Sequence, residues 1–253
     1  MVIFDETKTG DKTEMDKMHL DQHISQQFND DLEQLREHLL AMGGIVEGQV
    51  EDAVRAIETA DTGLAEKVMQ VEEQVDREEI ELDEECTAIL VRRQPAASDL
   101  RLVLMVTKAN RDLERIGDEA NKIAKMAIAI SDQGGASPRG YVELRHIAKS
   151  VQKMVAMSLD AFARFDVYEA FKVVQADRQV DQEYRSAMRE LMTYMMEDPR
   201  SISRVMNIIW ALRALERIGD HARNISEHVI YLVRGMDVRH TSLQEIEQKL
   251  EQK

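Results

Sequence analysis

Apolar residues recur at steps of three and four along most of the chain. Leu102, Val106, Ala109, Leu113, Ile116, Ala120, Ile123, Ala127 and Ile130 make one such stripe. Ile208, Ala211, Leu215, Ile218, Ala222, Ile225, Val229 and Leu232 make another. That period puts each set on one face of an α-helix. Breaks fall at Asp61-Thr62-Gly63, Pro95, the cluster Gly134 to Gly140, Asp166, and Asp198-Pro199. Asp61 and Ser98 are suited to cap helix N-termini, and Asp198 before Pro199 reads as a cap with proline in the first helical position. The helices between breaks are about 30 residues long, or about 45 Å. Short connections make neighbouring helices antiparallel.

The pattern is duplicated. Leu113-Glu114-Arg115-Ile116-Gly117-Asp118 returns as Leu215-Glu216-Arg217-Ile218-Gly219-Asp220, 102 positions later (215 − 113). Upstream the offset is 105: Val75-Asp76 matches Val180-Asp181, and Ala56, Asp61, Ala65, Val68 and Gln70 match Ala161, Asp166, Ala170, Val173 and Gln175. The slip of three falls near Pro95 and Pro199, where a loop absorbs it. An internal repeat of this kind means one structural unit used twice. The expected fold is all-α, with two tandem pseudo-symmetric three-helix bundles. Residues 28–133 form the first bundle and 138–235 the second. Residues 1–27 are read as a frayed polar tail, and 236–253 as a similar C-terminal tail or a weak final turn.

Composition narrows the function. The 253 residues hold 33 Lys+Arg against 48 Asp+Glu, a net charge of −15. Phosphate backbones are bound through Lys and Arg, so nucleic acid is a disfavoured partner; an acidic surface attracts cations or basic partners. A single cysteine, Cys86, excludes an internal disulfide and fits a reducing compartment. No signal peptide or membrane-length apolar run is visible, so a cytoplasmic protein is expected. The 15 Met residues and Trp210 are read as packing. Cys86 is read as a core residue.

Four carboxylate pairs share the i,i+4 spacing: Glu72/Asp76, Glu114/Asp118, Asp177/Asp181 and Glu216/Asp220. Both members of such a pair stand on one helix face, about 40° apart. Like charges at this spacing repel. A divalent cation between two facing pairs removes the repulsion and takes four hard oxygen ligands. The competing reading is ordinary acidic decoration, strongest for Glu72, which begins a very acidic stretch. Recurrence at matching positions of both halves favours metal. Helical-wheel angles place the third-helix pairs away from their own apolar stripe, so the sites are expected on the outside of each bundle.

Other candidates carry less. Glu143/His146 resembles half of a di-iron motif, but the unit is not duplicated. His19/His23 sits in the tail. His221, His228, Asn121 and Asn224 neighbour the motifs as auxiliary ligands or surface groups. Gly117 and Gly219 lie in mid-helix, where close helix approach explains them best. Arg115 and Arg217 are read as ion-pair partners.

The doubled Leu-Glu-Arg-Ile-Gly-Asp, continued in the second half as His221-Ala222-Arg223-Asn224-Ile225, resembles the PhoU family over about residues 28–235. The resemblance implies two three-helix bundles whose carboxylate motifs hold metal clusters, with iron, zinc, manganese or magnesium depending on the member. Glu72, Asp76, Glu114, Asp118, Asp177, Asp181, Glu216 and Asp220 would be the metal ligands. It also implies a regulator rather than an enzyme. Such a protein restrains uptake by the phosphate ABC transporter, acting on its ATPase, and holds the phosphate-sensing histidine kinase in its inhibiting state. Recruitment to the membrane would run through those partners, and a homodimer is compatible with it. The first copy departs from the pattern, with Asn121-Lys122 where the second has Arg223-Asn224. A metal-dependent carboxylate-bundle enzyme and a metal-free helical scaffold are the two readings from other classes.

Overall fold

The computed structural model of the chain describes residues 26–133 and 141–251. Seven α-helices lie among them: α1 (Gln26–Thr59), α2 (Thr62–Arg93), α3 (Ala97–Asp132), α4 (Tyr141–Arg164), α5 (Val167–Glu197), α6 (Ile202–Arg234) and α7 (Leu243–Glu251). A short 3-10 turn, Pro199–Ser201, leads into α6. Helices α1, α2 and α3 pack on one another, as do α4, α5 and α6. The most extensive pairing of all joins α3 to α6, and a smaller contact joins α1 to α4. The two third helices therefore form the spine between the halves. No helix among the described residues is long and apolar enough to cross a membrane.

The repeat is visible down to the backbone. Ala60 and Phe165, 105 positions apart, both take a left-handed conformation, with φ of 54° at each. The following aspartates match as well. Asp61 N–H donates to the Ala56 carbonyl, and Asp166 N–H to the Ala161 carbonyl, each at 3.0 Å. Asp61 Oδ1 then caps Leu64 N–H at 2.9 Å, and Asp166 Oδ1 caps Tyr168 and Glu169 N–H, both at 3.0 Å. Such caps satisfy amides that the first helical turn leaves without partners. Asp198 caps Arg200 N–H at 3.1 Å beside Pro199, as the sequence predicts. Ser98 does not act as a cap. The cap position of α3 is Ala96, without a side-chain hydrogen bond, because the chain re-enters the helix two residues earlier.

Both predicted stripes are buried. Leu113, Ile116, Ala120 and Ile123 have no exposed surface, and neither do Leu215, Ile218 and Ala222. Cys86 joins this core, and burial pushes its thiol up to about 11, far from the reactive range. Between α1 and α4 the helices approach closely at Gly43, where a Cβ would sit 2.6 Å from Leu159 Cδ2.

Three sequence expectations are corrected. Trp210 is 57% exposed, not packed. It lies off the stripe of Ile208, Ala211, Leu212 and Leu215, and its size does not override that position. The C-terminal segment is not a frayed tail. Ser242 and Glu245 form a reciprocal capping box, with Ser242 N–H donating to Glu245 Oε2 at 3.1 Å and Glu245 N–H to Ser242 Oγ at 3.3 Å. The helix it starts buries Ile246 and Leu250, one turn apart. Helix α1 begins at Gln26, inside the segment read as tail. The rest of that tail, with His19 and His23, and the breaker cluster at 134–140 lie outside the described residues.

Candidate metal centre

Four of the carboxylates meet in a seam between α2 and α3. Glu72 on α2 receives a hydrogen bond from Gln49 Nε2 at 2.8 Å, and Gln49 itself comes from α1. The protonated Glu72 carboxyl also lies within hydrogen-bonding reach of Asp118 on α3. Burial pushes Glu72 up to about 7, with the charges of Asp118 and Asp76 adding to the rise. Glu114 is raised chiefly by burial and then by Asp118, Glu79 and Asp76. These mutual effects mark one crowded group of acids. Arg115 partly compensates them, with Nη1 donating to Asp118 Oδ2 at 3.0 Å. Its Nε lies 3.3 Å from Glu114 Oε2 without completing a hydrogen bond, so that buried oxygen has no donor.

A second seam lies between α5 and α6. Asp177 and Glu216 are both raised by burial first, and by their acidic neighbours Asp220 and Asp181. Glu216 Oε2 is buried without a donor, the counterpart of Glu114 Oε2. This seam carries more built-in positive charge. Arg223 Nη1 donates to Asp177 Oδ2 at 2.7 Å and lies 3.5 Å from Asp220 Oδ1, while Arg213 Nη1 donates to Glu216 Oε1 at 2.8 Å. Asn121 stands at the corresponding place in the first seam, and its Oδ1 is buried without a donor.

The structure thus brings the eight sequence-predicted carboxylates together as two groups of four. It corrects their expected outward placement only in part: the side chains of Asp118, Asp181 and Asp220 are 33%, 35% and 39% exposed. The side chains of Asp177, Glu216 and Glu114 are only 7%, 12% and 15% exposed. The wheel angle measured each pair against its own helix; the neighbouring helix, α2 or α5, closes over that flank. Asp76 alone of the first four stays exposed.

Gly117 explains how α2 comes close. A Cβ there would lie 3.0 Å from Gln49 Oε1, 3.4 Å from Val75 Cγ1 and 3.5 Å from Glu72 Oε2. At Gly219 the nearest atom is 3.6 Å away, so the second seam is roomier.

The histidines considered as extra ligands point elsewhere. His221 Nδ1 and His228 Nε2 lie 2.8 and 2.9 Å from the two oxygens of Asp112 on α3, and Asn224 Nδ2 donates to Oδ1 at 3.1 Å. They clasp α3 to α6. Arg217 belongs to the same junction, 2.7 Å from the buried Glu119. His146 faces Glu183 at 3.2 Å, and Glu143 does not share its contact.

Sequence reasoning missed Glu79, Gln49, Arg213 and the internal partner Arg223. Glu79 is i+3 from Asp76 and i+7 from Glu72, a spacing that marks one face; the surrounding acidic run concealed it. Gln49 gives no local signal, because only the packing of α1 brings it to the seam.

Chemically, each seam is a set of hard oxygen donors on two rigid helices. Crowded acids raised by burial and by each other, with a donorless buried oxygen in each group, fit a divalent cation.

Comparison with known proteins is decisive for kinship. The family's PhoU domain matches residues 39–127 and 144–229, once in each half. The chain belongs to the PhoU family. It is 62% identical over 237 residues to the phosphate-specific transport system accessory protein PhoU homolog of Pseudomonas aeruginosa, covering 94% of this chain and 98% of that protein. It is 42% identical over 236 residues to the protein PhoU of Escherichia coli, covering 93% and 97%. The crystal structure of PhoU from Pseudomonas aeruginosa superposes with a TM-score of 0.81 at 64% identity, over 83% of this chain and all of that one. The phosphate transport system regulatory protein PhoU from Streptococcus pneumoniae gives 0.77 at 28% identity, over 83% and 99%. Both PhoU matches fall on the helices that carry the seams.

Proposed function

We propose that this chain is a metal-binding accessory of phosphate transport. It acts as a negative regulator and adaptor between the phosphate ABC transporter ATPase and the phosphate-sensing histidine kinase, on the cytoplasmic face of the membrane. The observation that carries the reading is the pair of matching carboxylate seams in a chain of PhoU architecture. Relatives named as phosphate-transport accessory proteins, alignable over nearly their full length, support the transport context.

The metal ligands are Glu72, Asp76, Glu114 and Asp118 in the first seam, and Asp177, Asp181, Glu216 and Asp220 in the second. A bound cation supplies positive charge that the carboxylates lack, and it ties α2 to α3 and α5 to α6. Gln49 orients Glu72, and Arg115 and Arg213 limit repulsion before the cation arrives. Arg223 already bridges Asp177 and Asp220, so the second seam is the less demanding of the two. Regulation rather than catalysis is supported by relatives and a solved structure named as accessory and regulatory proteins.

The test is affinity capture of the chain with the transporter ATPase and the kinase of the same cell at high and low phosphate. Phosphate-dependent association that weakens when Glu114, Asp118, Glu216 and Asp220 are replaced by Ala supports the adaptor. Association with neither partner at either phosphate level overturns it. Association unchanged in the replaced protein, with metal content also unchanged, points to a metal-free scaffold.

A further inference from the structure

A different cluster lies on the other flank of α2. His38 comes from α1, and Glu78, Glu81 and Glu85 come from α2. His38 Nε2 is 2.8 Å from Glu78 Oε2, while Nδ1 is 3.1 Å from Glu85 Oε1. One donor atom from each of His38, Glu78 and Glu81 lies within 4.8 Å of the others. At 100° per residue, Glu78, Glu81 and Glu85 share a face roughly 150° away from that of Glu72, Asp76 and Glu79. The two sets occupy opposite flanks of the α2 core stripe, one toward α1 and the other toward α3.

We infer that His38, Glu78 and Glu81 form a mononuclear site for a zinc-type divalent ion. The donor set is one imidazole nitrogen and two carboxylates, with Glu85 as the group that orients the ring. With Nδ1 held by Glu85, a metal entering between His38 Nε2 and Glu78 Oε2 takes the place of the proton those two atoms share at 2.8 Å, and this carboxylate–histidine arrangement recurs behind metal-bound histidines. The nitrogen donor distinguishes the site from the all-oxygen seams. It favours zinc or a related transition ion over magnesium or calcium. Three protein ligands leave a fourth tetrahedral position to water or to an incoming donor. Because His38 is on α1 and both glutamates are on α2, the ion cross-links two helices of the first bundle. This site stands independently of the function proposed for the seams.

The test uses the full chain, stripped with chelator and then dialysed against zinc ions, with zinc per chain read by elemental analysis. His38→Gln and Glu81→Gln are each expected to bind one fewer zinc per chain than wild type. Glu85→Gln is expected to weaken that same zinc by about 10- to 100-fold, the usual effect of removing an orienting partner. The Nε2 resonance of His38 should shift on zinc addition in wild type, and circular dichroism of the variants should be unchanged. Manganese binding by His38→Gln should equal that of wild type, which separates this site from the seams. Equal zinc binding by wild type and His38→Gln, or a His38 Nε2 resonance that zinc does not move, overturns the inference and leaves His38 as an ion-pair partner of Glu78 and Glu85.

Discussion

Between pH 4.5 and about 7, Glu72 is protonated in the folded chain but charged in the unfolded one. Burial, followed by Asp118 and Asp76, sets that difference. A carboxyl raised on folding contributes stability that is complete below its unfolded value and lost as pH rises through its folded value. In chelator-treated protein this contribution disappears as pH climbs from 4.5 to 7. Glu72→Gln removes the ionisation while keeping an acceptor for Gln49. The metal-free variant is expected to melt higher than wild type at pH 8, with the gap closing toward pH 4.5. Melting curves at both ends check this; a gap independent of pH contradicts it. The same group explains why a cation should bind more tightly as pH rises: the ligand must lose its proton first.

At the scale of elements, the repeated motif has two different local settings. Glycine in mid-helix costs about 1 kcal/mol relative to alanine. Gly219 has room for a Cβ, its nearest neighbour being 3.6 Å away. Gly219→Ala is therefore expected to stabilise by about 1 kcal/mol. At Gly117 a Cβ presses on Gln49, which is 2% exposed and held by Glu72 and the Val68 carbonyl. Gly117→Ala is expected to lose that gain or reverse it. Denaturant unfolding of the two variants measures the contrast, and equal stabilisation would show that α2 and α3 are not tightly apposed at the seam. The pattern of apolar steps predicts the helices themselves, because one periodic face suffices to define each. It does not show that α2 covers the flank bearing Glu114. That fact depends on where a neighbouring helix lies, which a single-helix wheel does not contain. Gln49 escaped for the same reason, whereas Glu79 was hidden in the acidic run around it. The capping box at Ser242 and Glu245, by contrast, was legible locally and simply carried more weight than the polar composition around it.

At the scale of the molecule, the two halves are locked through α3 and α6. Burial alone would raise the Asp112 carboxyl, but hydrogen bonds from His221 and His228, with Asn224 adding to them, hold it down at about 2 against an ordinary 3.8. A depressed carboxyl contributes stability that is present above its unfolded value and lost as pH falls through its folded value. The window is therefore pH 3.8 down to about 2. At 1.36 kcal/mol per unit, Asp112→Asn is expected to cost about 2 kcal/mol at neutral pH in chelated protein. Denaturant titrations at pH 7 and pH 3 check it, with a smaller difference at the lower pH; no loss at pH 7 contradicts the clasp. The duplication was readable from six identical residues, yet nothing in it disclosed this clasp. Asp112 corresponds to Ala214, and Glu119 to His221. Apart from Arg217, which matches Arg115, the junction is built from positions where the two copies differ, so a search for what they share passes over it.

Net charge −15 is thus resolved into two partly buried acidic seams, a histidine-linked cluster and ordinary solvated surface. The account turns on whether the seams hold metal. Manganese, which suits oxygen donors, separates them from the His38 cluster. Manganese retained per chain after dialysis is the direct measurement, made on wild type and on the protein with Glu114, Asp118, Glu216 and Asp220 replaced by Ala. Bound manganese in wild type, lost in the replaced protein, is the predicted result. Wild type without manganese, or equal manganese in both, would contradict it.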